Sequence, residues 1–485
     1  MSDAQVAVSA SDRPVLSGRA LEDEFCSIAR ELGGDVHGRE SGSTYLASTH
    51  ARSHGEAVAW AMSPKIFDQA AVSILRDAAE TMGRIMDKVT ARYLEDTPEG
   101  ATLRATFALP DPLERYALVP TGYDRLIPLA RVDVFFDEDT GDYQFCELNT
   151  DGSAGMTVSD EVSHAVQLSQ TYREFESRHP DLPVSLFDVT GACVDELLDV
   201  YATWANISCT GRKPDHPSLA IVDYAESVSA DEVADFVDQF RDRGVSARFT
   251  DIHDLRMVEF QRPGANGPRT CRVLRDDEGP IDLVWRRAVP SEVAEKPCDG
   301  AEALVEAQEA GLVCVVGGFR TWPVATKTVF SVLWSDLAAD ILSGDELEFV
   351  HAHVPYTVSL APGADLAPYA EKDRWIAKPA GGYNGSGVVA GLDVDADEWS
   401  RVLAATAADG GVVQAYAHQY ATPTIAGGGV PDWADPTNFA PANNMEGLYL
   451  FGGRFAGVFT RCGYTNTIGE FTSRFNVGCL VVGAE

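Results

Sequence analysis

Apolar and polar residues alternate most sharply between positions 131 and 148. Val132, Val134 and Phe136 recur at every second position, an acidic run at 137–142 interrupts them, and Phe145 and Leu148 resume. This pattern predicts a β-hairpin. With the turn centred on Thr140, Phe135 stands opposite Phe145, Asp133 opposite Glu147 and Arg131 opposite Asn149, all on one face. From 21 to about 105 helical spacing dominates, with Leu75, Ala78, Ala79, Met82, Ile85, Met86 and Val89 recurring up to the break at Pro98, Glu99 and Gly100. A helical layer is expected there, its methionines filling core. Further helices are predicted at 159–179 and 184–205. A polar linker with two prolines at 211–217 then leads into strand 218–224, helix 230–243 and strand 245–250, a βαβ unit without a GxGxxG turn. Strands at 271–274 and 281–287 follow as a pair, then helix 301–311, strand 312–316 and helix 327–342. The remainder reads as strand 411–416, a long loop at 425–444 that could act as a mobile lid, and strands at 447–451, 454–460 and 479–482.

Composition narrows the class. The chain has 485 residues, 45% hydrophobic and 23% charged, enough to bury a large core and fold as two to four units. Residues 1–16 read as a flexible tail. No apolar run approaches the roughly 20 residues that cross a bilayer, and no basic-then-apolar leader opens the sequence, so a cytoplasmic protein is expected. The formal charge of −36 sets the chain against nucleic acid and anionic membranes. Nine scattered cysteines without close pairs argue against a zinc site or a disulfide framework.

The hairpin carries the first candidate chemistry. Two carboxylates facing each other across a ladder repel unless a cation lies between them, and oxygen ligands such as Asp133, Glu147 and Asn149 suit magnesium. Arg131 adds a fixed charge for phosphate. The alternative is a solvent-facing hairpin rich in charge. Cys146, next to Glu147, is expected on the opposite strand face, in the core. A second candidate is RWIAKPAGGYNGSGVV at 374–389, a strand ending in Lys378, a loop with Gly381, Gly382, Gly385 and Gly387, and a return strand. Glycines let backbone amides approach an anion, and the lysine can neutralise phosphate, although a plain hairpin with a flexible tip has the same pattern.

With seven lysines against 31 arginines, Lys327 and Lys378 stand out. Lys327 opens a predicted helix, where a cation opposes the helix dipole unless an anion lies close. Gln414, near the end of GVVQAY, is placed to offer hydrogen bonds to an adenine edge. Arg286 and Arg287 put two guanidinium groups at a strand end, for a substrate carboxylate or for a salt bridge. His351 and His353 share a face if 350–354 is extended, but without a third ligand they are expected not to bind metal.

Taken together, RVD with CELNTD, IAKPAGGYNGSGV, VVQAY and the terminal TSRF resemble the ATP-grasp superfamily, and within it the synthetase part of glutathionylspermidine synthases, from roughly 112 onward. Like those enzymes, the chain has its metal-binding strands ahead of its phosphate-binding lysines. The resemblance implies an α+β chain with the ATP-grasp fold. Its parts are a helical layer with the metal-binding hairpin at 17–210, a preATP-grasp-like α/β unit at 211–320 and the nucleotide-binding part at 321–485. It implies ATP and Mg²⁺ as cofactors, with Asp133, Glu147 and Asn149 on magnesium and Arg131 on the transferred phosphoryl group. Lys378, Ser386 and the loop glycines, with Lys327, would meet the ATP phosphates. Gln414 and Tyr416 would line the adenine pocket, and Arg474 would reach phosphate. The implied activity is carboxylate–amine ligation through an acyl phosphate, on small-molecule substrates such as a peptide or amino acid with an amine or polyamine. Two rivals remain, a phosphotransferase without an amine step and a silent nucleotide-binding module.

Overall fold

A computed structural model describes residues 17–483 except 54, 151–152, 263–268, 382–385, 429–436 and 470–473, so the expected tail lies outside the described residues. β1 (Trp60–Phe67) runs through the stretch expected to be wholly helical. All eight of its residues are buried, so it lacks the alternation of a half-exposed strand, and Pro64 argues against a ladder position. The register with its parallel neighbour shifts across 62–64, where the missing proline N–H costs no ladder bond. The predicted helix follows at Gln69–Leu94, capped by the Asp68 carboxylate, which accepts from Ala71 N at 2.8 Å. Its Leu75, Met82, Met86 and Val89 share one core cluster with Val132, Val134 and Phe136 of β2 (Leu129–Phe136), which pairs with β3 (Tyr143–Asn149) in the expected hairpin.

Beyond the hairpin the chain packs helices Met156–Gln167 and Val189–Ile207 near the opposite sheet face. The expected helix 159–179 is split, because Ser169 caps a separate helix Gln170–Arg178 through Tyr172 N at 2.9 Å. β4 (Ser218–Asp223), helix Ala230–Asp242 and β5 (Ser246–Asp251) form the predicted βαβ unit. β6 (Arg256–Arg262) and β7 (Arg269–Arg275) pair as an antiparallel ribbon, so 271–274 does not pair with 281–287 as expected. β8 (Leu283–Arg286) instead joins β9 (Cys314–Val316) in a parallel sheet of order β9–β8–β4–β5. Helix 327–342 is also broken, since Ser335 caps Asp336–Ile341 after Thr328–Leu333 ends. The stretch 350–354, read as extended, ends the helix Gly344–His353, which starts at a capping box of Ser343 and Glu346. His353 stacks on Tyr143 with centroids 4.0 Å apart, and His351 stacks on Trp334 at 4.7 Å.

A third, antiparallel sheet holds β10 (Thr357–Ser359), β11 (Trp375–Lys378), β12 (Val389–Ala390) and β13 (Val412–Ala415) in the order β10–β13–β11–β12. Helix Ala396–Ala408 backs it with Trp399, Leu403 and Ala407. The chain then returns to the large sheet through β14 (Ala421–Pro423), β15 (Ala426–Gly428), β16 (Pro441–Phe451), β17 (Arg454–Gly463) and β18 (Phe475–Val482). The order is β15–β1–β18–β17–β16–β2–β3, antiparallel throughout except for β18 beside β1, with β14 on β16. The expected loop 425–444 thus contains β15 and the start of β16, its remaining part at 429–436 lying outside the described residues. Among the described residues no helix is long and apolar enough to cross a membrane.

A buried ionic knot ties this sheet to the first helix. Lys65 of β1 sits 3.1 Å from Glu22 of helix Ser17–Glu31 and is paired with Glu138 of the hairpin turn, with Glu446 of β16 nearby. Burial, then the Glu138 charge, pushes Glu22 up to about 8 from an ordinary 4.5, and burial does the same to Glu446. A carboxyl raised in the folded state binds more protons than in the unfolded chain between those two values. The stability it contributes is therefore full below about 4.5 and lost as pH rises through about 8. Glu446→Gln is expected to flatten part of the fall in unfolding free energy between pH 5 and 8, read by urea denaturation; parallel curves for the two proteins would refute the assignment.

Candidate functional site

The hairpin places Asp133 opposite Glu147 and Arg131 opposite Asn149, as its alternation predicts. Its turn is held by the Asp137 carboxylate, which accepts from Asp139 N at 2.9 Å and Thr140 N at 3.1 Å. Between turn and site the register slips by one residue, so Val134 pairs with Phe145 and Cys146 has no partner in the ladder. One extra residue reverses the face of everything beyond it. The expected pairing of Phe135 with Phe145 is therefore lost, and Phe145 turns into the core. Cys146, expected in the core, lines a cleft with Phe135 instead.

Asp133 is completely buried and held by two guanidinium groups. Arg131 approaches with Nε 2.7 Å from Oδ1 and Nη2 3.1 Å from Oδ2, and Arg461 of β17 with Nη2 2.9 Å from Oδ2. Burial alone would raise the Asp133 pKa, but the two arginines outweigh it and hold the carboxyl down to about 2. Asn149 Nδ2 lies 3.5 Å from Asp133 Oδ2. Glu147 is paired with Lys327; burial opposes its charge, yet the ammonium lowers its pKa. Gly447 faces Asp133 across the ladder, and a Cβ there would come within 2.8 Å of Arg131 Cδ and 3.0 Å of Asp133 Oδ1. Only glycine lets the clamp close.

Two carboxylates and one amide on adjacent strands are hard oxygen donors of the kind magnesium takes. Among the described residues no cluster of three or more acidic, histidine or cysteine side chains could hold a metal alone. Both oxygens of Asp133 are engaged by arginines and, of Asp133, Glu147 and Asn149, Glu147 alone lines the cleft, so these side chains do not by themselves make an ion site.

Lys378 ends β11 and crosses to the hairpin, where Nζ donates to Cys146 O at 2.9 Å and to Gln414 Oε1 at 2.7 Å. Burial pulls its pKa down to about 8. Lys327, expected to oppose a helix dipole, has Glu147 as its counter-charge, and its backbone N–H donates to Ala380 O at 2.8 Å. Glu147, Lys327, Lys378, Gln414 and Tyr416 line one cleft, walled by Phe135, Ile376, Val388 and Met445 and closed by 466–469. The mix of apolar walls with convergent polar groups suits a small organic ligand. Tyr416 OH and Gln419 Nε2 both donate to Asn466 O, at 3.2 and 2.9 Å.

Of the loop, Gly381 is half-buried, Ser386 is exposed and Gly387 takes φ 72°, a left-handed conformation that favours glycine. Gly382 and Gly385 lie outside the described residues, as do Thr472 and Ser473 next to Arg474, which directly precedes β18. Arg286 and Arg287 are engaged inside the fold rather than lining the cleft. Arg286 donates to Gly317 O and Ala288 O and lies 4.4 Å from the Phe319 ring, and Arg287 pairs with Glu232 at 2.7 Å. Sequence reasoning missed Arg461, although an arginine inside an alternating apolar strand signals a buried counter-ion.

No protein-family model matches the chain, and no curated protein matches it. Among solved structures, a glutathione synthetase-like effector from Globodera pallida, in its apo form, superposes with a TM-score of 0.56 at 12% identity, covering 92% of this chain and 96% of that one. The two therefore share a fold over almost their whole length. D-cycloserine synthetase matches 41% of this chain and 58% of its own at 20% identity, with a TM-score of 0.24.

Burial pushes the Cys146 thiol far above its ordinary value, so little thiolate forms in the cleft. In native protein at pH 8, iodoacetamide is expected to label the half-buried Cys209, Cys271 and Cys298 while sparing Cys146, as read by peptide mass mapping. Labelling of Cys146 as fast as Cys209 would contradict this environment.

Proposed function

We propose that the protein is an ATP-dependent carboxylate–amine ligase of the ATP-grasp kind, with Mg²⁺ as its cofactor. The observation that supports this reading is the junction of two distant segments. Lys378, at the base of the glycine loop, reaches the carbonyl beside Glu147, so a triphosphate in the cleft would lie between lysine and carboxylate. Apolar walls near Tyr416 suit a base, and the acidic pair suits the metal at the phosphate end.

In this reading the chain's own residues position and neutralise rather than attack. Lys378 and Lys327 would offset phosphate charge, and Arg131, held rigid by Asp133, would present its guanidinium to the transferred group. In this reading Asp133, Glu147 and Asn149 would hold magnesium, which would supply positive charge against the charge developing on phosphate. The substrate carboxylate would become an acyl phosphate that an amine then opens to the amide, with phosphate leaving. Small-molecule substrates, a peptide or amino acid and an amine or polyamine, suit this chemistry.

The test is ADP release screened over amino acids, short peptides and polyamines. ADP formation that requires both a carboxylate and an amine is expected; ADP formation without amine would point to phosphotransfer instead. Glu147→Gln is expected to lower turnover by on the order of 10²-fold with the fold retained at a lowered unfolding temperature, because Lys327 loses its counter-charge, and unchanged turnover would falsify the metal assignment.

A further inference from the structure

Gln414 was expected to read the adenine edge, yet both ends of its side chain are engaged elsewhere. Thr357 Oγ1 donates its one hydrogen to Pro355 O at 2.8 Å, so toward Gln414 it acts as acceptor, and it receives Nε2 at 2.8 Å. That contact fixes which way the amide points. Oε1 must face Lys378, from which it accepts at 2.7 Å. The second acceptor on the ammonium is the carbonyl of Cys146, the residue the bulge leaves outside the ladder. An ammonium carries three N–H donors; two are held, and one remains on a side chain that lines the cleft.

The neighbours' charges make the arrangement specific. Lys65 and Lys327, the other buried lysines among the described residues, are each paired with carboxylates. Lys378 is only 7% exposed and is held by two neutral oxygens, so its positive charge has no ion-pair partner among the described residues. A buried charge held that way calls for an anion.

We infer that Gln414, aligned by Thr357, is a positioning residue that joins the Cys146 carbonyl in aiming the third N–H of Lys378 at a nucleotide phosphate, and does not read the base. The inference rests on the nucleotide-binding reading above. It assigns Thr357, which is 1% exposed and outside the cleft lining, an effect on phosphate affinity alone.

Calorimetric titration of the full chain with ATP, GTP and adenosine separates the possibilities. Thr357→Val and Gln414→Leu are expected to weaken ATP about tenfold while leaving adenosine affinity and the preference for ATP over GTP unchanged. Thr357→Ser, which keeps the hydroxyl, should restore ATP binding, and this pair carries the test if Gln414→Leu does not fold. Adenosine weakening in step with ATP, loss of the ATP preference, or wild-type ATP affinity in Thr357→Val would overturn the inference. Wild-type protein without ATP affinity would instead overturn the nucleotide reading beneath it.

Discussion

Two carboxylates forced face to face, Asp133 and Glu147, are the constraint around which the rest of the site is arranged. Asp133, wholly buried, and Glu147, half-buried, each need a cation beside their charge, and the chain supplies those cations from well-separated segments. Arg461 comes from β17 to Asp133, and Lys327 comes from just before a short helix to Glu147. Each ion pair therefore also joins parts of the molecule. The first reaches across β16 to tie β17 to β2 within the large sheet, and the second draws the chain ahead of the third sheet onto the hairpin. Breaking a buried pair by removing one partner typically costs about 3–5 kcal/mol, so the clamp serves geometry as much as charge.

The bulge at Cys146 gives the arrangement its asymmetry. On the turn side of it, Phe145 and Tyr143 pack inward with edge-on rings 5.7 Å apart. On the site side, Glu147 and Asn149 keep the face shared with Asp133 and Arg131. The same slip leaves one carbonyl unpaired in the ladder, and Lys378 takes it. A regular hairpin would have kept that oxygen in its ladder and left the lysine with one neutral acceptor fewer.

How much of this could be read from the residues follows from what each feature depends on. The facing of Asp133 and Glu147 was readable because β2 is buried on one face against helix Gln69–Leu94, which fixes the parity of its positions. The bulge was marked only by the three-residue spacing of the core residues Phe145 and Leu148, which an assumed unbroken period of two passes over. β1 escaped because a strand buried on both faces loses its period and Pro64 argued against it. The lysines and the glycine loop were visible as motifs, and the cleft that Lys327 and Lys378 share with Glu147 was expected only through family resemblance. What holds Gln414 was invisible, since Thr357 reaches it only through the pairing of β10 with β13. Arg286 and Arg287 had the composition of a carboxylate site, and only their partners, backbone carbonyls and Glu232, place them in the interior.

The position of β18 between β1 and β17 has a consequence for biogenesis. Its parallel partner is roughly 400 residues earlier in the chain, yet it fills a central slot rather than an edge. During synthesis the ribosome delivers β1 with both lateral rows of amides and carbonyls lacking their strand partners, one until β15 and the other until β18 has emerged. The nascent chain thus carries an adhesive strand through much of its translation, and the chain's net charge of −36 keeps growing chains on neighbouring ribosomes apart.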